Sequence, residues 1–169
     1  MYLIGLRTPS NINSDLVALQ SSVFRLTGFA SAFAIPPMVP LGWFENEPET
    51  GTGPDFQNTS LHLGSWKFSS EMLWIEVQPE STIQKLRAKL PPVNDTGYIN
   101  TLNGIFICQN ERTLTSEEVD RINALVKPSS QWKSSRICCY NLRSVEESAN
   151  WWEEVYIEEQ WSHWIKKRG

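Results

Sequence analysis

Apolar residues along this chain fall into short runs that switch between strand and helix periods. The opening MYLIGL is continuously apolar and predicts a first strand. Leu16, Leu19, Val23 and Leu26 then recur at helical spacing, with Asn13 or Ser14 as the expected N-cap and Gly28 as the stop. Phe29 to Pro36 reads as a returning strand closed by Pro36-Pro37. The polar, Gly- and Pro-rich stretch Glu45 to Thr59 is the clearest loop. Ser60 to Phe68 and Met72 to Val77 flank a Ser-Ser-Glu turn and predict an antiparallel hairpin.

Ser81 is the expected cap of a second helix carrying Ile83, Leu86 and Leu90, and a strand follows over Leu102 to Cys108. Thr115 and Glu118 have the spacing of a capping box, in which hydroxyl and carboxylate each accept a free N–H of the first turn. Val119, Ile122 and Leu125 supply that third helix with its apolar face. Two last strands are expected near Arg136 to Leu142 and Trp152 to Glu158. The order echoes itself: strand MYLIGL, helix, strand AIPPM parallels strand MLWIEV, helix, strand LNGIF. Helices among mainly antiparallel strands predict a duplicated α+β sandwich, residues 1–169 being read as a single domain.

Bulk properties narrow the function classes. A net charge of −4 over 169 residues gives no global basic field for nucleic acid. No apolar run reaches the length of a membrane span, and the N-terminus lacks a basic leader, so a cytoplasmic protein without a membrane partner is expected. Cys108, Cys138 and Cys139 lack metal-ligand spacing and read as buried, reduced thiols. No Walker loop, dinucleotide fingerprint, metal-binding His pair or Gly-x-Ser-x-Gly elbow occurs, and no cofactor or metal is expected.

The stretch AIPPMVPLGWF, the hairpin LHLGSWKF…LWIEV, the helix Ser81 to Leu90 and the element order together resemble the 2H phosphoesterase family. That family includes 2′-5′ RNA ligase-like proteins and cyclic nucleotide phosphodiesterases. The resemblance implies two lobes of mainly antiparallel sheet around a cleft, with helices outside and one His-x-Thr/Ser motif from each lobe. Where the family commonly reads Pro-His-x-Thr-Leu, this chain has Pro37-Met38-Val39-Pro40-Leu41. Met38 thus stands in the His slot and Pro40 in the Thr slot. In the second lobe Gly104 and Phe106 fall on the corresponding places.

The family's chemistry divides acid and base work between two imidazoles, each worth on the order of 10²–10⁴-fold in rate. The hydroxyls two residues on donate to the phosphate oxygens. Met, Gly, Pro and Phe supply none of these groups. The resemblance therefore implies a 2H-like scaffold without the family's catalysis, a ligand-binding or protein-interaction protein. Its cleft would suit a small apolar or nucleotide-like ligand. The alternative is a divergent phosphoesterase acting on RNA ends or cyclic nucleotides through His62 or other groups.

Alternation along SLHLGSWKF puts His62 and Gly64 on one face, and Trp66 is read as sharing it; His62, Trp66 and Trp43 are the candidate cleft contacts. His62 is followed by Leu63-Gly64 and so lacks the family's hydroxyl. Trp161 and Trp164 are spaced to share a helix face and form a candidate docking patch for a protein partner.

Overall fold

The computed structural model describes residues 1–48, 60–90, 102–129, 131–133, 136–144, 150, 152 and 155–164. Its strands are β1 (Tyr2–Arg7), β2 (Met38–Phe44), β3 (Ser60–Phe68), β4 (Met72–Gln78), β5 (Gly104–Gln109), β6 (Trp132–Lys133), β7 (Arg136–Ser144) and β8 (Val155–Trp164). The helices are α1 (Ser10–Thr27), α2 (Glu80–Arg87) and α3 (Ser116–Asn123). Two antiparallel four-stranded sheets form, ordered β2-β1-β7-β8 and β5-β4-β3-β6. The fold is α+β and two-lobed. Each lobe repeats one unit, β1-α1-β2 in the first and β4-α2-β5 in the second, with the second strand of each unit at a sheet edge.

Period-2 alternation explains how the near-continuous apolar strands are used. Ile4 and Leu6 of β1, Leu73, Ile75 and Val77 of β4, and Ile105 and Ile107 of β5 pack in one cluster. That cluster includes Leu16 and Val23 of α1, Ile83 and Leu86 of α2, and Ile122 of α3. The alternate residues, Leu3, Met38, Met72, Phe106, Cys138 and Tyr140, form a second buried cluster. Helices therefore cover the outer face of each sheet, and the inner faces meet one another. A strand buried on both faces needs apolar residues on both, which MYLIGL and the Ile137-Cys138-Cys139-Tyr140 run of β7 supply.

Several boundaries depart from the sequence expectation for identifiable reasons. α1 begins at Ser10, before Asn13: the Pro9 carbonyl accepts from the N–H groups of Ile12 and Asn13, and Thr8 donates to Asn13 Oδ1. Gly28 stops it as expected, in a left-handed conformation at φ 78°. The strand expected over Phe29 to Pro36 is instead a 3-10 turn, Ala30–Phe33. Side chains capture its backbone groups: Ser31 N–H donates to Glu111 at 2.9 Å, and Gln20 donates to the Ile35 carbonyl at 3.2 Å. Pro36 and Pro37 offer no N–H to a ladder, so β2 starts only at Met38.

α2 starts at Glu80 after Pro79, which leaves Ser81 inside the helix and not at its cap. α3 does begin with the expected capping box: Glu118 N–H donates to Thr115 Oγ1 at 3.2 Å and Thr115 N–H to Glu118 Oε2 at 2.8 Å. Arg112 then pairs with Glu118 at 2.6 Å, donates to the Thr27 carbonyl and stacks over Phe29, which ties α3 to the end of α1. Residues 49–59, most of the expected loop, lie outside the described residues.

Candidate functional site

The two edge strands that carry Met38 and Gly104, β2 and β5, are where the sheets approach. Met38 and Phe106 both point inward there and are sealed, at 1% and 2% exposure, within the second cluster. Gly5 makes the room for Met38: a Cβ at Gly5 would stand 2.5 Å from Met38 Sδ. Gly104 is closed differently. A Cβ there would meet the Ile75 carbonyl group of the neighbouring strand, 2.9 Å from its carbon, and stand 2.7 Å from Trp74 Cδ1. Position 104 therefore has no space for any side chain, an imidazole least of all.

Pro40 is buried, and its carbonyl accepts a hydrogen bond from Arg87 at 2.9 Å. The same guanidinium donates to Asn103 Oδ1 at 2.7 Å and to the Leu102 carbonyl, just ahead of β5. Asn103 in turn donates to Glu80 at 2.6 Å. Burial pushes the Arg87 pKa down, and Glu80 opposes that shift. No sequence pattern signals this contact, because a basic residue in the last turn of α2 is already accounted for by the helix dipole.

Charged groups border the apolar cluster. Arg7 lies opposite Met38 in the β1–β2 register and so shares its face. Glu159 of β8 bridges Arg7 at 3.2 Å and Arg136 at 3.4 Å, and Arg136 also donates to Ser162 Oγ. On the other sheet Lys67 pairs with Glu76 at 3.6 Å, and Glu76 lies over Gly64. No local pattern hints at the Arg7–Glu159 pair, whose members are 152 positions apart.

His62 is exposed and lies opposite Gln78 on the same sheet face as Trp74. Phe106, by contrast, pairs with Trp74 itself. Counted along the ladders, His62 is on the order of 15 Å from Phe106 and on the order of 12 Å from Gly104. The histidine thus stands well away from the motif slots. Trp66 does not share its face. A register shift between Leu63 and Trp66 reverses the alternation, so Trp66 is buried in the helix-side core with Leu61. Trp43 and Trp74 are half-buried and pack against the inner cluster, and the Trp43 indole N–H points at Met1 Sδ.

The helical reading of the C-terminal tryptophans is replaced by a strand. Trp161 pairs with Cys139 and Trp164 with Arg136 in the β7–β8 ladder. The shared helix face expected for them does not form.

All three cysteines are free and buried. Desolvation pushes the thiols of Cys108 and Cys139 up to about 12, and that of Cys138 upward, away from nucleophilic use. Burial raises the Tyr140 hydroxyl as well. Among the described residues no group of three or more His, Cys, Asp or Glu is placed to hold a metal ion, and no helix is long and apolar enough to cross a membrane.

No protein-family model matches the chain, and no curated protein matches it. Among solved structures it is similar to TT0787 of Thermus thermophilus, with a TM-score of 0.57 over 99% of both chains at 8% identity. At that identity the likeness is one of fold: two lobes of antiparallel sheet, compatible with a 2H phosphoesterase-like scaffold.

Proposed function

We propose that this chain is a non-catalytic binding protein on a 2H phosphoesterase-like scaffold. One observation carries the reading. The places from which each lobe would offer an imidazole are a sealed thioether, Met38, and a glycine, Gly104, with no room for a Cβ. Proton transfer needs a titratable group within hydrogen-bond reach of the reacting oxygen, and these positions provide none. The surface left for a ligand is the margin of the inner cluster. There half-buried Trp74 lies opposite Lys67, which pairs with Glu76, and half-buried Trp43 packs on the same cluster on the other sheet, four residues along the ladder from Arg7. Flat apolar rings, including nucleoside bases, match such indole surfaces.

The test has two arms. Incubation with 2′,3′-cyclic nucleotides and cyclic-phosphate-ended RNA is expected to give no product above buffer, with His62→Ala indistinguishable from wild type. Turnover that disappears in His62→Ala would overturn the reading. Titration with nucleosides and apolar ring compounds is expected to shift the indole N–H signals of Trp43 and Trp74 in NMR spectra, leaving that of Trp66 in place.

A further inference from the structure

Arg87 sits where the two lobes touch. Its guanidinium donates to the Pro40 carbonyl of β2, on the first sheet, and to Leu102 and Asn103, which lead into β5 of the second. The second-lobe contacts form a braced set. Asn103 donates to Glu80, Gln84 donates to Glu80 at 2.9 Å, and the Asn103 carbonyl accepts from Val77 N–H of β4. A planar fork held this way loses little further freedom when it takes one more acceptor. The Pro40 carbonyl is available because β2 is a sheet edge, and a proline is tolerated there since it has no N–H to offer a neighbour.

From this geometry we propose that Arg87 is a latch that holds the inner faces of the two sheets together. Moving β2 away from β5 breaks the Arg87–Pro40 bond and leaves the rest of the Arg87 set intact. The motion uncovers the inner cluster of Met38, Phe106 and Cys138, and on the helix side it parts Val39 and Leu41 of β2 from the second sheet's share of one continuous core. The latch rests on the binding reading only in its purpose, access to the face between the sheets. Its mechanics need no ligand.

The cysteines report on it. Cys138 lies in the inner cluster, whereas Cys108 and Cys139 lie in the helix-side core. Opening at the latch exposes the first thiol ahead of the other two, which lie on the opposite faces of their strands, toward the helices. Removing a hydrogen bond from a charged donor shifts a local opening equilibrium by roughly tenfold to a hundredfold. In Arg87→Met, alkylation of native protein, read residue by residue by fragment-ion mass spectrometry, is expected to accelerate at Cys138 by about that factor. Cys108 and Cys139 then change by less, and Arg87→Lys falls between. Equal acceleration at all three thiols, or none at Cys138, overturns the proposal. Should Arg87→Met fail to fold, wild-type protein in low urea decides: Cys138 labels ahead of Cys108 and Cys139 if the latch opens alone, and together with them if it does not. Because labelling uses no ligand, failure here leaves the indole-shift test of the binding reading standing, and the reverse also holds.

Discussion

Replacing Gly104 by alanine probes the claim that backbone, and not side-chain choice, closes the second motif slot. Gly104 lies in β5 opposite Glu76, and Gly28 is the one described glycine with positive φ, so alanine at 104 carries no conformational penalty. Glycine in a strand interior costs roughly 0.5–1 kcal/mol relative to alanine, so propensity alone predicts a more stable variant. Sterics predict the opposite. The new methyl meets the Ile75 carbonyl group, with its carbon 2.9 Å away, and Trp74 Cδ1 at 2.7 Å. Trp74 can turn aside, whereas the Ile75 carbonyl belongs to the ladder and moves only with β4. Overpacking of this kind costs about 1–3 kcal/mol.

The net expectation for Gly104→Ala is a loss of about 1–2 kcal/mol, or a Tm lower by roughly 2–8 °C for a chain of this size. Urea unfolding followed by tryptophan fluorescence should show a lower midpoint at unchanged slope. Gly5→Ala is the control, because its nearest obstacle is the Met38 side chain, with the Val39 carbonyl oxygen farther off at 3.2 Å. It should cost less, and its cost should fall further in a Met38→Ala background. A Gly104→Ala variant as stable as wild type, or more so, would refute the closed-slot argument.

Other substitutions test the remaining contacts. Met38→His buries an imidazole among apolar groups and should cost about 1–3 kcal/mol in urea unfolding while producing no cyclic phosphodiesterase activity. Glu118 is held at about 2, from an ordinary 4.5, first by the Arg112 hydrogen bond and next by the Thr115 N–H. A folded-state pKa below the unfolded one gives stability that is present above pH 4.5 and lost as pH falls towards about 2. Glu118→Gln should therefore flatten the decline of the unfolding midpoint across that window and leave a smaller, pH-independent deficit. Glu159→Gln should lower stability by less than about 1 kcal/mol, since its pairs with Arg7 and Arg136 are part-exposed and screened. A larger loss that persists in concentrated salt would mean that this cluster does more than border the inner apolar cluster.

Strand and helix identity was legible where local pattern and tertiary need agree. The α1 stripe ending at Gly28, the β3–β4 hairpin and the Thr115–Glu118 capping box all stand as the letters suggest. The misreadings share a cause. Phe29 to Pro36 has strand composition, but Gln20 and Glu111 hold its backbone in a turn, and neither is a sequence neighbour. Trp66 changed faces because one register shift inverts every later position on the strand, and no residue in SLHLGSWKF announces it. The C-terminal tryptophans have helical spacing, but β7 offers them an open edge to pair with. Met38 and Gly104 are singled out from the chain alone, through the resemblance. That they are physically shut could not be read there, because the closing groups belong to β1 and β4.

The double burial of β1 and β7 has a consequence outside the native state. In most antiparallel sheets one face carries charges that keep an unfolded strand soluble. Here MYLIGL and ICCYNL contain none, so both are short, uncharged segments rich in strand-forming residues. In the sheet they are shielded, β1 between β2 and β7, and β7 between β1 and β8. Released, each is a window able to pair with copies of itself. Arg7 and Arg136, at the outer ends of these two runs, then act as gatekeepers. Variants that weaken the fold should therefore lose soluble yield sooner than their equilibrium stability alone would require, and neutralising either arginine should sharpen that loss.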